Sequence, residues 1–317
     1  MTAPALIADI GGTNVRFALV RPGTAPSDVM AMRCADYPGP AEAAKAYLAL
    51  VGGEAPQRAA LAVASPVTGD RIDLTNSAWN FSVDAVRRDL GLERLDVVND
   101  FTAVALSVRH LVGADLMPLG GGLPAADAPI AVLGPGTGLG VSALVPTPAG
   151  NWIAVATEGG HATMAPVDDR ESAILAFLRH RFGHVSAERV LSGPGLVNLY
   201  EAVAAVAGQE PVYTTPDAIS QRGQDGTCPL CREALDTFFA MLGTVAGNLA
   251  LSLGARGGVF VAGGILPRMR DALAASQFRE RFEAKGRFKA YLGPIPCWLV
   301  VHPQPAFAGL AALATEL

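Results

Sequence analysis

Three glycine clusters stand beside residues that can handle phosphate. Asp9 precedes Gly11-Gly12-Thr13-Asn14; further on come Gly134-Pro135-Gly136-Thr137-Gly138 and Gly263-Gly264. Successive backbone N–H groups around glycines form an anion nest, and a missing Cβ lets a phosphate oxygen approach. The hydroxyls of Thr13 and Thr137 add donors, so two such loops facing each other would clamp a polyphosphate without lysine. Asp9 stands where a carboxylate can hold Mg2+, usually through water. The competing reading is a set of hairpin turns with ordinary structural glycines. The pairing of two loops with Asp9 and Gly263-Gly264 favours phosphate.

Polar side chains form a second set. Asn99-Asp100 ends a predicted strand, and strand ends in α/β folds open onto the ligand crevice. An Asn-Asp pair equally makes an Asx turn that caps a following helix. Glu158-Gly159-Gly160-His161 sets two polar residues across two glycines, which allow a bend that turns both into one pocket. A lone histidine here would read as a satisfied core residue. A zinc site is disfavoured, because H-E-x-x-H and H-x-x-E-H are absent and no third ligand lies nearby. Glu188 by itself reads as a solvated carboxylate at a helix start. Cys228-Pro229-Leu230-Cys231 has no second cysteine pair to complete a structural zinc site. It also lacks the preceding strand of a thioredoxin-like motif, so its spacing reads as coincidence.

Elements must hold these residues. Leu6–Ile10 and Val15–Val20 are apolar runs around the first loop, two strands joined by a tight turn. Pro40–Val51 has helical spacing, Ala59–Ala64 reads as a buried strand and Val83–Leu90 as a helix. Leu95–Val98 is a strand before Asn99-Asp100, and Thr102–Leu111 an apolar helix. The alternation predicts an α/β first domain with a mixed sheet. The opening unit recurs as Ile130–Leu133, the glycine loop 134–138 and Leu139–Val145, which predicts two related halves. Helices are expected over 171–181, 195–207, 232–253 and 305–317, a strand over 259–262, and surface loops over 120–128 and 146–150.

Other chemistries are excluded. Both loops lead into strands rather than helices, against a Rossmann dinucleotide site. The only lysines are Lys45, Lys285 and Lys289. None follows a glycine cluster, which removes a P-loop. Of 317 residues 50% are hydrophobic and 17% charged, so the chain can bury a sizeable core in one or two domains. Its 24 basic and 29 acidic residues give −5 with no block of like charge, so neither nucleic acid nor an anionic membrane is an expected partner. The 35 glycines follow no G-X-Y period. Met1–Asp9 lacks the basic region of a signal peptide. Leu242–Leu266 is apolar but contains Asn248 and Arg256, and reads as buried core rather than a membrane span. Four cysteines in so long a chain point to a reduced, cytoplasmic compartment.

Ala8-Asp9-Ile10-Gly11-Gly12-Thr13-Asn14, Leu133-Gly134-Pro135-Gly136-Thr137-Gly138-Leu139-Gly140 and Val261-Ala262-Gly263-Gly264-Ile265 together resemble the two phosphate motifs and the adenosine motif of the actin-like ATPase/sugar kinase superfold. Within it the chain resembles the bacterial ATP-dependent glucokinase family. Leu74-Thr75-Asn76-Ser77-Ala78-Trp79, Asn99-Asp100-Phe101, Glu158-Gly159-Gly160-His161, Ser186-Ala187-Glu188-Arg189 and Leu191-Ser192-Gly193-Pro194-Gly195 carry the same resemblance, in order, over nearly the whole chain. It implies a two-domain actin-like ATPase (ribonuclease H-like) fold. A small α/β domain over 1–110, joined by a C-terminal helix at 302–317, faces a larger α+β domain over 111–301 across an intervening cleft. The repressor/ORF/kinase (ROK) sugar kinases carry a cysteine-rich zinc motif soon after E-x-G-H. Here no cysteine follows His161 until Cys228, so the chain resembles the zinc-free family.

The resemblance also implies roles. ATP and Mg2+ are the cofactors and glucose the substrate. Asp100 is the general base for the sugar 6-hydroxyl, which attacks the γ-phosphorus in line; an ordinary carboxylate suffices because the transition state is loose. Asn99, Glu158, His161 and Glu188 bind sugar hydroxyls, Glu188 near the anomeric one. Asn76 and Trp79 either shape the sugar side or serve the structure. Several fixed donors and acceptors suit a hexose, since a wrong substrate leaves each unpaired at ~1–3 kcal/mol. Phosphates lie on Gly11 to Asn14 and Gly134 to Gly138, and adenosine runs past Gly263-Gly264. Family habit implies a homodimer. Two rivals share the superfold. A sugar-sensing regulator would carry a helix-turn-helix ahead of the first loop, and Gly11 leaves no room for one. An ATPase activator would hold an iron–sulfur cluster on Cys228 and Cys231.

Overall fold

The computed structural model describes residues 3–74 and 79–316. The chain divides into two compact units, one of Met1–Val112, Ala154–Ala156 and His302–Leu317, the other of Gly113–Ile153 and Thr157–Val301.

In the first unit β1 (Ala5–Ile10), β2 (Asn14–Val20) and β3 (Ser27–Arg33) form an antiparallel meander. α1 (Pro40–Val51) leads to β4 (Arg58–Val63), and the hairpin β5 (Arg71–Asp73) and β6 (Asn80–Ser82) leads to α2 (Val83–Asp89). Then come β7 (Arg94–Asn99) and α3 (Asp100–Ser107). The sheet order is β3-β2-β1-β4-β7, with β4 parallel to β1 and β7 parallel to β4. β1 and β4 are apolar and buried on both faces, as central strands of a covered sheet must be. One face packs Leu6, Phe17 and Leu61 on Tyr47 of α1. β3 escapes a hydropathy reading because it is an edge strand whose side chains are almost all exposed or half-exposed.

The second unit begins with β8 (Leu116–Pro118), β9 (Ile130–Pro135) and β10 (Leu139–Pro146), and its sheet also takes in β11 (Trp152–Thr157), whose middle residues Ala154–Ala156 are grouped with the first unit. Four helices follow: α4 (Asp169–Phe182), α5 (Gly193–Val206), α6 (Pro216–Gln224) and α7 (Pro229–Leu253). The unit closes with β12 (Gly258–Val261), α8 (Arg270–Ala274), α9 (Phe278–Glu283), α10 (Lys289–Leu292) and β13 (Cys297–Val300). Its sheet order is β11-β10-β9-β12-β13-β8. β10 is antiparallel to β9, β12 is parallel to β9 and β13 parallel to β12. The two sheets thus share one plan, in which a hairpin strand flanks a central strand on one side and two parallel strands follow on the other. β9 extends through Gly134 and Pro135, so the second hairpin turn is only Gly136-Thr137-Gly138.

α7 is long and apolar enough to cross a membrane by length and composition, yet two-thirds of that stretch (67%) is buried within the protein. Leu235, Phe238, Phe239, Leu242 and Ala246 follow the helical repeat and fill the core of this unit. Each such large side chain contributes roughly 1.5–3 kcal/mol of burial. A buried ion pair, Arg281 Nη2 to Glu171 Oε1 at 2.7 Å, ties α9 to α4. Finally α11 (Pro305–Glu316) packs Phe307, Leu310 and Leu313 on the second face of the first sheet, against Ile7, Ala18, Ala60 and Ala62. Gly309 lets α11 approach the backbone of α3, since a Cβ there would collide with the carbonyl oxygen of Ala103.

Candidate active site

In the first unit the candidate residues gather at the C-terminal ends of β1 and β7. The turn after β1 is closed by the Gly11 N–H donating to the Asn14 carbonyl at 3.0 Å. Cys34, buried just after β3, supports the turn from beneath. Its N–H donates to the Thr13 carbonyl at 2.9 Å, and its thiol to the Gly11 carbonyl at 3.6 Å. Among the described residues, the N–H groups of Gly12 and Thr13 have no partner. Those are the donors an anion nest requires. Asp9 pairs across the hairpin with Arg16, Nη1 to Oδ2 at 3.7 Å. Burial pushes the Asp9 carboxyl above its ordinary value, and the Arg16 charge pulls it part of the way back.

Asn99 and Asp100 sit at the junction of β7 and α3. The helix starts at Asp100, two residues earlier than apolar spacing predicts, because Asn99 caps it. Asn99 Oδ1 accepts from the N–H of Phe101 at 2.9 Å and of Thr102 at 3.4 Å, while Nδ2 donates to the Ser65 carbonyl at 3.4 Å. The Asx reading of this pair is therefore realised in the fold, and any sugar contact by Asn99 falls to its second amide hydrogen. Asp100 occupies the first helical turn, a place favourable to negative charge, and its Oδ1 accepts from the Phe101 N–H at 2.8 Å. Trp79 is 3% exposed and donates its indole N–H to the Tyr37 carbonyl at 2.9 Å, a structural role. Asn76 lies outside the described residues.

The second unit brings Glu158, His161 and Glu188 together. His161 Nε2 lies 3.9 Å from Glu158 Oε2, and His161 Nδ1 lies 3.9 Å from Glu188 Oε1. The other Glu188 oxygen, Oε2, accepts from the Leu139 N–H at 2.9 Å, immediately after the hairpin turn. A Cβ on Gly138 would lie 2.5 Å from that oxygen, so the carboxylate fills the space of the missing side chain. The segment after Glu188 also holds the other side of the turn, where the Gly193 N–H at the start of α5 donates to the Gly136 carbonyl at 2.8 Å. Among the described residues, the N–H groups of Thr137 and Gly138 have no partner, as for Gly12 and Thr13 in the first hairpin.

The glycines in Glu158-Gly159-Gly160-His161 form the bend that the sequence suggests, and Glu158 and His161 meet across it. Neither has a positive φ; they form a short 3-10 turn. Gly160 is required by close approach, because a Cβ would collide with the Leu139 carbonyl oxygen. Gly263 follows β12 with φ +96°, and a Cβ there would collide with the Pro135 carbonyl oxygen. Gly263 therefore lies against the end of β9 beside the second hairpin, while Gly264 faces open space.

A family model described as glucokinase matches residues 6–317. The chain belongs to the glucokinase family. It is 63% identical over 317 residues to the glucokinase of Paramagnetospirillum magneticum, covering 100% of this chain and 99% of that protein. It is 50% identical over 309 residues to the glucokinase of Neisseria meningitidis serogroup C, covering 98% and 94%. The crystal structure of a glucokinase from an Antarctic psychrotroph superposes with TM-score 0.92 at 38% identity, covering 99% of both chains. The fold is accordingly that of the glucokinases, the actin-like ATPase sugar kinase fold expected from the motifs.

Sequence reasoning left two supports of this glucokinase-family chain unrecognised. Cys34 carries no signal of its own, being one thiol in an edge-strand region. The link from Glu188 to Leu139 spans 49 residues and follows no local pattern. Cys228 and Cys231 are also resolved. Cys228 is the N-cap of α7, its sulfur accepting from the Cys231 N–H at 3.3 Å, and Cys231 is fully buried in the core. Burial and the neighbouring sulfur push the Cys231 thiol up to about 12, so it stays protonated and inert.

Proposed function

We propose that this chain transfers the γ-phosphoryl group of ATP to the 6-hydroxyl of glucose, giving glucose 6-phosphate and ADP. Its membership of the glucokinase family over residues 6–317 carries the reading. The geometry supports it, since a Glu–His–Glu cluster suited to hydroxyl groups stands directly on a hairpin with open N–H donors.

The first unit supplies Asp100 as general base and Asn99 beside it, with phosphate donors at Gly11, Gly12, Thr13 and Asn14. The second supplies Glu158, His161 and Glu188 for the sugar. It also supplies Gly134, Gly136, Thr137 and Gly138 for phosphate, and Gly263-Gly264 for the adenosine. Catalysis here rests on positioning and charge stabilisation rather than covalent chemistry. Glu158 and Glu188 accept hydrogen bonds from the ring hydroxyls, which with His161 fix the sugar, and Asp100 takes the O6 proton as the oxygen attacks. Asp9, a hard oxygen donor 29% exposed beside the loop, fits an ion held partly by nucleotide phosphates and water. Mg2+ so held would offset the charge of the phosphate oxygens.

The enzyme is proposed to act in the cytoplasm as a homodimer. The four free thiols support the compartment, and the habit of the family supports the dimer. A coupled assay over ATP and polyphosphate as donors and a hexose panel as acceptors tests the function. Glucose with ATP should give the highest kcat/KM. Turnover on no hexose, or ATP hydrolysis that ignores hexose, would overturn it.

A further inference from the structure

Glu188 belongs to two sites at once. One carboxylate oxygen faces His161 at 3.9 Å, where the sugar is proposed to bind. The other holds the Leu139 N–H at 2.9 Å, at the exit of the hairpin proposed to bind phosphate. The residue is itself rigidly seated. Its N–H donates to the Gly160 carbonyl at 2.8 Å, and its carbonyl accepts from the Ser192 hydroxyl at 2.9 Å. Five residues on, the Gly193 N–H grips the entry of the same hairpin. The turn Gly136-Thr137-Gly138 is thus clasped on both sides by the segment that carries a sugar ligand.

We propose that Glu188 couples hexose occupancy to nucleotide occupancy. The inference rests on the glucokinase reading and adds the route of communication. Hydroxyl groups donating to Oε1 restrict the carboxylate to one orientation. That orientation keeps Oε2 on Leu139, and so keeps the Thr137 and Gly138 donors turned outward for phosphate. In the sugar-free protein the carboxylate is restrained on one side only, and the loop samples more arrangements. Sugar therefore removes an ordering cost that the nucleotide otherwise meets. Linkage makes the effect reciprocal, so nucleotide must tighten sugar by the same factor.

Gly138 offers a clean probe. Its backbone is not in the left-handed region, and the only atoms near an added Cβ are those of the Glu188 carboxylate, 2.5 Å and 3.3 Å away. A methyl there displaces the end of a flexible side chain rather than backbone, so Gly138→Ala should fold. Gly136 is the matched control in the same turn, because a Cβ there meets nothing within 4 Å.

The experiment is calorimetric titration of the full-length protein with glucose and with a non-hydrolysable ATP analogue, each alone and with the other saturating. In the unsubstituted protein each ligand should tighten the other by the same factor, about 5- to 150-fold. Gly138→Ala should weaken glucose binding about tenfold in the absence of nucleotide and bring the mutual factor close to one. Gly136→Ala should leave glucose affinity without nucleotide within about twofold. Glu188→Gln should likewise collapse the mutual factor, which tests the route from the sugar side without altering the turn. Full coupling in both Gly138→Ala and Glu188→Gln would overturn the proposal, as would equal loss of glucose affinity in Gly136→Ala. Those results leave glucose phosphorylation standing. Absence of any glucose binding by the unsubstituted protein removes the glucokinase reading itself.

Discussion

The thiol of Cys34 lies 3.6 Å from the carbonyl oxygen of Gly11, and its backbone N–H lies 2.9 Å from that of Thr13. One buried residue therefore fixes two of the four peptides in the first hairpin turn. Both bonds use carbonyls, which leaves the N–H groups of Gly12 and Thr13 available to the proposed phosphate.

Removal of the thiol should loosen the turn without touching the residues proposed to bind sugar. Cys34→Ala is expected to raise KM for ATP severalfold, leave KM for glucose nearly unchanged, and cost about 1 kcal/mol of stability. Cys34→Ser keeps a donor and should restore much of the ATP affinity. Steady-state kinetics with each substrate varied in turn separate these outcomes. A rise confined to the glucose KM would assign Cys34 a different role.

Asn99 and Asp100 are adjacent but should respond differently. Asp100→Asn removes the proposed base and should lower kcat about 10²–10⁴-fold, with glucose affinity retained within a few-fold. Asn99→Ala removes a helix cap and should cost ~1 kcal/mol, about 2–4 °C in melting temperature. Kinetics, binding and thermal unfolding on both variants distinguish base from cap. Near-normal turnover in Asp100→Asn would reassign the base.

Asp9 gives a pH-dependent signature. Burial raises its carboxyl above the ordinary value of 3.8 in the folded protein. Below the ordinary value Asp9 is neutral whether folded or unfolded, and its contribution to stability is fully present. That contribution is lost as pH rises through the raised folded value, because the ionised form is then held in a poorly solvated place. Asp9→Asn should therefore melt at a higher temperature than the unsubstituted protein at pH 7, with the gain vanishing below about pH 3.8. The same variant should lose about 10–100-fold in apparent Mg2+ affinity. A lower melting temperature at pH 7 would show that Arg16 outweighs burial.

Cys228 and Cys231 should separate as a cap and a core residue. Cys228→Ser retains a capping acceptor and should leave stability and kcat near those of the unsubstituted protein. Cys231→Ser buries a hydroxyl and should cost about 1–3 kcal/mol while leaving kcat intact at permissive temperature. Denaturant unfolding and the kinase assay check both. A brown colour lost on either substitution would revive a cluster site.

Much of the fold could be read in the residues because its central elements are apolar throughout. β1, β4 and β9 announce themselves by continuous burial, and α1 by helical spacing between Pro40 and Val51. What escaped was mostly edge, short or polar, such as β3, the edge strand β11, the short strands β5, β6, β8 and β13, the short helices α8 to α10, and α6, which opens on a Thr215 cap and holds only Ile219 and Gly223 buried. Helix starts were misplaced where capping decides them. Asn99 begins α3 early, and Cys228 begins α7 at Pro229 rather than Arg232. Within the site, residue types and loop glycines were legible as candidates. The contacts linking them were not, since Glu188 and Leu139 meet only through tertiary structure.

α11 also bears on how the protein is made. The second face of the first sheet is alanine-rich, and its cover comes largely from Phe307, Leu310 and Leu313. On the ribosome that covering helix appears only after every strand of the second unit. The unit that begins first is therefore finished last, and its apolar face waits uncovered throughout elongation. A nascent chain halted before residue 305 would carry this face exposed, and chaperone demand should peak late in synthesis rather than early.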